Sequence, residues 1–177
     1  MNLIFISTLI LGISVTRGQA SYRWPNHDIS TLKLLQIVHR HGEKAPQWFT
    51  PNDPFKNELF WTEGIGQLTI KGKYRMYELG QFIRQEYHSY LGDNYSASEV
   101  YARSSITGRC IESTSVLLSS AYPPIPKAWQ WSQGSNATLG NVWQPILIQT
   151  FTPKSDDIVC NVVGQINLLL IKSSLLN

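Results

Sequence analysis

The chain has 177 residues, 42% hydrophobic and 15% charged, a composition that supports the core of about one globular domain and excludes a disordered chain. Its twelve Gly and nine Pro follow no period, which excludes collagen-like and low-complexity repeats. The formal net charge of +3 is too small to indicate a nucleic-acid partner, and two Cys cannot build a disulfide-rich scaffold or a four-ligand zinc site.

The first twenty residues are typical of a secretory signal peptide. Residues 3–13 form an apolar run, and the small residues Gly18 and Ala20 occupy the positions that a signal peptidase reads. The run is too short to cross a bilayer, which takes about 20 residues. We therefore expect cleavage after Ala20 and a secreted protein, with a buried N-terminal strand as the alternative.

Other features fit a secreted chain. N-glycosylation sequons begin at Asn94 and Asn136, each within a polar, turn-like stretch. Cys110 and Cys160 can pair in an oxidising compartment, although two free, buried thiols are the favoured alternative. No further segment is long and apolar enough for a membrane span, since the apolar run at residues 166–171 is only six residues long.

The mature chain begins with a strand, a loop and a helix. The apolar run at residues 34–38 predicts a buried strand, which leads into a loop punctuated by Gly and Pro and then a longer loop with short helical pieces at residues 47–67. Thr69 is a good N-cap for a helix that ends at residues 92–94. Residues spaced three and four apart predict its buried face: Met76, Leu79, Phe82 or Ile83, Tyr87 and Leu91.

The same alternation continues toward the C-terminus. Residues 99–103 predict a second strand, Ser104 and Ser105 a helix cap, and residues 144–151 a third strand. The second helix is expected to end at Pro123 and to turn inward Ile106, Cys110, Ser113 or Thr114 and Leu117. This order predicts an α/β fold, with a Rossmann-like, mostly parallel sheet flanked by helices. Ligands of such sheets bind at the carboxyl ends of the strands.

Charged residues follow two of these strand ends. If the first two strands are neighbours, Arg40, His41, Lys44 and Arg103 converge on one pocket that suits a phosphate ester. A neutral His among cations can attack phosphorus as a nucleophile, and the cations stabilise the transferred phosphoryl group without a metal. The alternative is that His41 is a surface or capping residue and that the arginines are solvated or paired with carboxylates.

These residues stand in a motif, Arg40-His41-Gly42 followed by Pro46, that resembles the signature of the histidine acid phosphatases. These enzymes form the acid phosphatase and phytase branch of the histidine phosphatase superfamily, and the insect venom acid phosphatases are the most similar in character. The resemblance covers about residues 32–160. It extends to four further groups of residues: Leu68-Thr69 with Gly72; Leu79-Gly80 with Arg84 and Tyr87; Arg103-Ser104-Ser105 with Arg109; and Trp143 to Ile146 with Asp156-Asp157.

The resemblance implies a secreted or lysosomal enzyme that hydrolyses phosphate monoesters through a phosphohistidine, with no cofactor. His41 would be the nucleophile, and Arg40, Lys44 and Arg103 would bind the phosphate. Arg109 is interpreted as structural. His39 precedes the motif and is not the nucleophile, Glu43 stands at a variable position, and His88 is expected to be exposed.

Three departures from the family pattern bear on activity. The family usually has Arg where Lys44 stands and Asp where Ile106 stands. It also uses a downstream His followed by an acid, whereas the only His-Asp pair here, His27-Asp28, precedes the first strand. Weakened turnover is therefore expected.

The sequence divides into a signal peptide at residues 1–20, the N-terminal part of a histidine acid phosphatase domain at 21–161 and a divergent tail at 162–177. The tail does not resemble the family and is interpreted as an alternative ending of a truncated chain. Besides a phosphatase, two alternatives stay open: a secreted protein that binds phosphate esters or a partner without turnover, and a truncated isoform.

Overall fold

The computed structural model describes residues 29–124, 142–150 and 166–172. The predicted signal peptide, His27-Asp28, Asn136 and Cys160 lie outside these ranges. A single 3₁₀ turn at Glu58–Phe60 interrupts the long loop after the first strand, as the sequence predicts. The strands and helices of the described residues, in chain order, are β1 (Leu34–Arg40), α1 (Ile70–Glu86), α2 (His88–Leu91), β2 (Val100–Ser104), α3 (Gly108–Ala121), β3 (Ile148–Thr150) and β4 (Ile166–Lys172).

The described strands form one sheet in the order β1-β4-β2-β3. β4 pairs antiparallel with β1 and with β2, and β2 pairs parallel with β3. β1, β2 and β3 therefore point in the same direction and β4 runs opposite to them. The α/β class with a sheet flanked by helices is confirmed, but the sheet is mixed rather than mostly parallel, since two of the three pairings between the described strands are antiparallel. The expectation that β1 and β2 are neighbours is wrong, because β4 from the divergent tail lies between them.

β4 takes a central place because its sequence is apolar on both faces. Leu169 and Ile171 are buried in the main core, and Leu168 and Leu170 alternate with them on the opposite face. A near-continuous apolar run is typical of a strand inside a sheet that is covered on both faces. The core that it joins also contains Leu35, Ala102, Met76, Ile83, Leu117 and Leu118.

α1 begins where the sequence predicts. The Thr69 side chain accepts a hydrogen bond from the Gly72 N–H, so Thr69 is the N-cap. The predicted single helix is two helices, because α1 ends at Glu86 and α2 continues to Leu91 before Gly92, whose φ is 65°. Of the predicted inward residues, Met76, Ile83 and Leu91 are buried in the core, and Leu79 and Tyr87 are partly buried against it. Ile83 rather than Phe82, which is 42% exposed, takes the alternative position.

α3 begins later than predicted. Its N-cap is Thr107, whereas Ser104 is still part of β2 and Ser105 is buried in the connection. Strand pairing holds Ser104 in extended backbone and Ser105 is buried in the connection, so the N-cap position falls to Thr107, whose side chain makes no capping hydrogen bond. Ile106 is 50% exposed, so the prediction that it turns inward is wrong. Cys110, Ser113, Thr114 and Leu117 are buried as predicted.

α1 and α3 pack in close contact. A Cβ added to Gly80 would collide with the Leu117 carbonyl and the Ser120 hydroxyl, so only glycine permits this approach. The Arg84 Nε donates to the Ala121 carbonyl at 2.5 Å across the same interface. Cys110 is a free, fully buried thiol on α3. None of the helices in the described ranges has the length and hydropathy of a membrane span.

Candidate phosphate-binding site at the sheet edge

The carboxyl end of β1 holds His41 in one tautomer. His41 is 9% exposed, and its Nδ1 lies 2.6 Å from the carbonyl oxygen of Gly42. Since a carbonyl only accepts hydrogen bonds, Nδ1 must carry the proton. In the neutral ring the lone pair therefore lies on Nε2, which is the atom that a nucleophilic histidine uses in this orientation.

The peptide that follows His41 is fixed by both helices. The Gly42 N–H donates to the Ser113 Oγ at 3.0 Å, and that hydroxyl donates to the Arg109 carbonyl one turn earlier in α3 at 2.7 Å. A Cβ on Gly42 would lie 2.5 Å from the Gly72 carbonyl of α1. The loop thus needs glycine at position 42, because the first turn of α1 approaches its backbone this closely.

The other side of the loop is tied to the start of α1. The Glu43 carbonyl accepts from the Thr69 N–H at 2.9 Å and from its hydroxyl at 3.1 Å. The Glu43 carboxylate is half exposed and reaches Lys71 at 3.3 Å and Arg75 at 3.4 Å. The Glu43 carbonyl therefore fixes the loop backbone, while its carboxylate pairs with cations at the surface. That position 43 is variable in the family stays a prediction.

Cations gather around this loop. Arg40 is the last residue of β1 and is exposed, and the Lys44 Nζ donates to the Ala45 carbonyl at 3.3 Å. Burial lowers the pKa of Lys44 below its ordinary value, and the nearby positive charges of Arg109 and Arg40 lower that pKa further. The loop is thus a region of positive potential that suits an anion.

Arg103 lies at the same end of the sheet, on the far side of β4. It is 9% exposed and its Cα pairs with Leu168. Because adjacent strands are about 4.8 Å apart, the β1 and β2 backbones are separated by about 10 Å. The structure therefore places Arg40, His41, Lys44 and Arg103 at the same end of the sheet, although not through adjacent strands. That the four side chains converge on one pocket stays a prediction. Their roles stay predictions.

His39 lies in a different environment from His41, although only one residue separates them. It is 5% exposed, its Nδ1 lies 3.1 Å from the Arg40 carbonyl, and it pairs across the sheet with the fully buried Asn167. Burial lowers the pKa of His39 from 6.5 to about 4, and the hydrogen bond to the Arg40 carbonyl offsets this only in part. His39 is thus a neutral core residue, as expected for a residue that is not the nucleophile.

The low pKa of His39 predicts acid sensitivity. The unfolded chain takes up a proton at this residue as the pH falls below 6.5, but the folded chain does so only near pH 4. The free energy of unfolding should therefore fall by about 3 kcal/mol over that window through this group, and the contribution is absent at higher pH. Urea unfolding at both ends of the window measures it.

A matched pair of variants isolates this effect. His39→Leu should lose less stability between about pH 7 and about pH 4 than the wild type, whereas His88→Leu should match the wild type, since His88 is exposed on α2. An equal loss in wild type and His39→Leu would contradict the assignment.

Two further expectations concern the surroundings of the site. Asn94 lies in the turn after α2 and is half buried, so its glycosylation stays a prediction. Among residues 29–124, 142–150 and 166–172, no cluster of three or more His, Cys, Asp or Glu side chains is placed to hold a metal ion.

The sequence alone does not reveal that Ser113 and Arg109 of α3 lie beside the loop that carries His41. It predicts only that Ser113 faces inward and that Arg109 is structural. Their spacing of four on one helix is a signal that they share a face, and Arg109 follows the Arg103 motif closely. What the spacing could not show is that this face meets Gly42, which is 71 residues from Ser113 in sequence.

Ser113 is predicted to position the loop. In Ser113→Ala the Gly42 N–H loses its acceptor, which removes about 1 kcal/mol of stabilisation from the conformation of the loop that carries His41. If His41 is a nucleophile, kcat toward an aryl phosphate should fall about 5-fold with little change in KM. Ser115→Ala, on the exposed side of the same helix, should keep wild-type kcat. An unchanged kcat in Ser113→Ala would exclude a positioning role.

Comparison with protein families supports the sequence pattern. The family model described as the Histidine phosphatase superfamily (branch 2) matches residues 47–125. This match begins just after the Arg40-His41 motif and includes Arg103. Among solved structures, the phytase from Citrobacter braakii resembles this chain with a TM-score of 0.43 and 24% identity, over 51% of this chain and 24% of the phytase.

Comparison with curated proteins finds acid phosphatases. The lysosomal acid phosphatase of Bos taurus is 34% identical over 84% of this chain and 32% of its own length. The prostatic acid phosphatase of Bos taurus is 38% identical over 71% of this chain and 30% of its own length. The venom acid phosphatase Acph-1 of Apis mellifera is 36% identical over 72% of this chain and 32% of its own length. The chain thus spans about a third of the length of the curated relatives it matches.

Proposed function

Because this chain belongs to branch 2 of the histidine phosphatase superfamily, we propose that it acts as an acid phosphatase on phosphate monoesters. Its curated relatives carry that activity in their names, which supports the reaction class. The venom and lysosomal relatives also support a secreted or lysosomal location after removal of residues 1–20. The small-molecule phosphate monoester and the phosphohistidine are part of the proposal.

One observation carries this function: the fixed tautomer of His41. Its Nδ1–H is engaged by the Gly42 carbonyl at 2.6 Å, which orients the ring and keeps the Nε2 lone pair for attack. The Gly42 peptide is in turn anchored to α3 through Ser113. A nucleophile held by a loop that two helices fix loses little entropy on reaching the reactive geometry.

The proposed reaction has two steps. His41 Nε2 attacks phosphorus and forms an N–P bond while the ester P–O bond breaks, and the leaving oxygen keeps the electron pair and takes up a proton from solvent water. Water then attacks the phosphohistidine, which releases inorganic phosphate and restores the imidazole. Arg40, Lys44 and Arg103 bind the phosphoryl oxygens and stabilise the charge that develops on them.

A second function, anion binding without turnover, is favoured by one observation. Ile106 stands where the resembling family has Asp, and this side chain is apolar and 50% exposed. It offers no hydrogen bond to the arginines of the site. Such a protein would bind phosphate or tungstate at the same edge of the sheet but would leave the ester intact.

Hydrolysis of an aryl phosphate at about pH 5 separates the two functions, since a good leaving group needs little help from an acid. The phosphatase proposal expects release of the phenol together with a higher melting temperature in tungstate. A tungstate-stabilised chain that releases no phenol would leave the binding function. A chain that neither binds tungstate nor hydrolyses the ester would contradict both.

Lys44 offers a test in the direction of gained activity. Lys44→Arg restores a guanidinium, whose fork binds two phosphoryl oxygens where an ammonium binds as a point charge. One added charged hydrogen bond is worth roughly 1.5–3 kcal/mol, so kcat/KM should rise about 10- to 100-fold. Lys71→Arg, an exposed residue on α1, is the matched control and should change nothing. Equal kcat/KM in Lys44→Arg and wild type would contradict phosphate binding by this residue.

A further inference from the structure

Arg109 occupies the first turn of α3, beside the loop that carries His41 and Gly42. Its carbonyl accepts the Ser113 hydroxyl at 2.7 Å, and the same hydroxyl accepts the Gly42 N–H at 3.0 Å. Residues four apart on a helix share a face. Arg109 therefore lies on the face of α3 that contacts the His41-Gly42 peptide, one turn nearer the helix start than Ser113.

Arg109 is a buried cation that pairs with no carboxylate among the described residues. The residue is 8% exposed, and its Nε is buried with no hydrogen-bond partner among the described residues. In the same described ranges no carboxylate forms a salt bridge with Arg109; the ion pairs there involve Lys71, Lys73 and Arg75. Burying a cation without an opposite charge is unfavourable, because the cation loses its hydration.

The nearest charges increase that cost rather than relieve it. Arg109 lies close enough to Lys44 for the two positive charges to repel each other, and Arg40 adds a third. Three cations thus lie near one loop: Arg40 at the end of β1, Lys44 in the loop and Arg109 on α3. The Glu43 carboxylate is turned to the surface, toward Lys71 and Arg75. An anion bound at the loop would offset the repulsion and occupy the guanidinium donors.

We propose that Arg109 is a further phosphate-binding residue, which contacts an oxygen of the phosphoryl group that His41 attacks. This assignment replaces the structural role expected for Arg109 and rests on the proposed function for the identity of the anion. It adds α3 to the site, which β1 and β2 alone were expected to form. The bound phosphate then links the nucleophile loop to the first turn of α3.

Binding of inorganic phosphate to the full chain, measured by titration calorimetry, tests the proposal. Arg109→Gln should weaken the phosphate Kd about 10- to 100-fold, as expected for loss of a charged hydrogen bond. Arg75→Gln removes the same charge from an exposed residue of α1 and should change the Kd less than about twofold. Without phosphate, Arg109→Gln should melt no lower than the wild type, because it removes a repulsive buried charge.

The phosphate Kd and the melting temperature of Arg109→Gln together decide the role of Arg109. A wild-type Kd in a cooperatively melting Arg109→Gln overturns the proposal. If the melting temperature also falls, Arg109 has a structural role. If Arg109→Gln does not fold, Arg109→Lys is measured: it keeps the charge, and a several-fold weaker Kd supports the proposal whereas an unchanged Kd overturns it. A wild-type chain that binds no phosphate refutes the proposed function together with this inference.

Discussion

Replacing His41 with alanine is expected to lower hydrolysis of an aryl phosphate by at least about 10⁴-fold, because it removes the atom that attacks phosphorus. The positive potential of Arg40, Lys44 and Arg103 stays in place, so the variant should still bind phosphate. The measurement is the steady-state rate of phenol release, with phosphate affinity recorded on the same sample. No other substitution is expected to lower the rate of ester hydrolysis as far.

The chain supplies a matched control for this variant. His88 is exposed on α2, and His88→Ala should hydrolyse the ester at the wild-type rate. An unchanged melting temperature of His41→Ala relative to wild type is the control that the fold persists. Residual turnover of His41→Ala within about 10-fold of wild type would assign the nucleophile to another group.

Arg103→Ala is expected to lower kcat/KM by about 10³-fold. A guanidinium that binds two phosphoryl oxygens makes two charged hydrogen bonds, each worth roughly 1.5–3 kcal/mol, and both strengthen as charge develops. Arg103 is suited to this because strand β2 and burial hold it at the sheet edge, 9% exposed. Initial rates at low substrate concentration give kcat/KM directly.

The conservative variant separates binding from packing. Arg103→Lys keeps one charge without the fork, and it should recover about 10-fold of the activity that Arg103→Ala loses. If Arg103→Ala loses cooperative melting while Arg103→Lys has wild-type kcat/KM, the residue supports the sheet and does not bind phosphate.

The first half of the fold was predictable from local signals. The Thr69 cap and the spacing of Met76, Ile83 and Leu91 identify α1 and its buried face, and these local features survive in the structure. The break between α1 and α2 was not predictable in this way, because the apolar spacing continues across it. The cap of α3 was placed early because Ser104, Ser105 and Thr107 are all good caps, and only strand pairing decides among them.

β4 was not predictable from its own residues. Its apolar run has no clear period of two, since Leu168 and Leu170 stand between Leu169 and Ile171. Such a run does not reveal which strands it pairs with, and its insertion between β1 and β2 depends on tertiary contacts. The site edge was nevertheless predicted, because β1 and β2 point the same way whether or not a strand lies between them.

Some features of the site can likewise be predicted from the sequence, and others cannot. His41 and Arg103 follow strands, so their placement at one sheet edge follows from the order of strands and helices. The tautomer of His41 and the link from Gly42 through Ser113 to Arg109 arise from contacts between distant segments. No local pattern specifies them, and they supply the positioning that the proposed chemistry requires.

Trapping of a phosphohistidine shows whether His41 is the group that attacks phosphorus. The full chain and His41→Ala are mixed with a radiolabelled aryl phosphate at about pH 5, quenched, and digested to locate the label. If His41 is the nucleophile, the wild-type chain carries an acid-labile label on the peptide that contains His41, and His41→Ala carries none. Label on another peptide, or no label on a cooperatively folded wild-type chain that releases phenol, would contradict attack by His41.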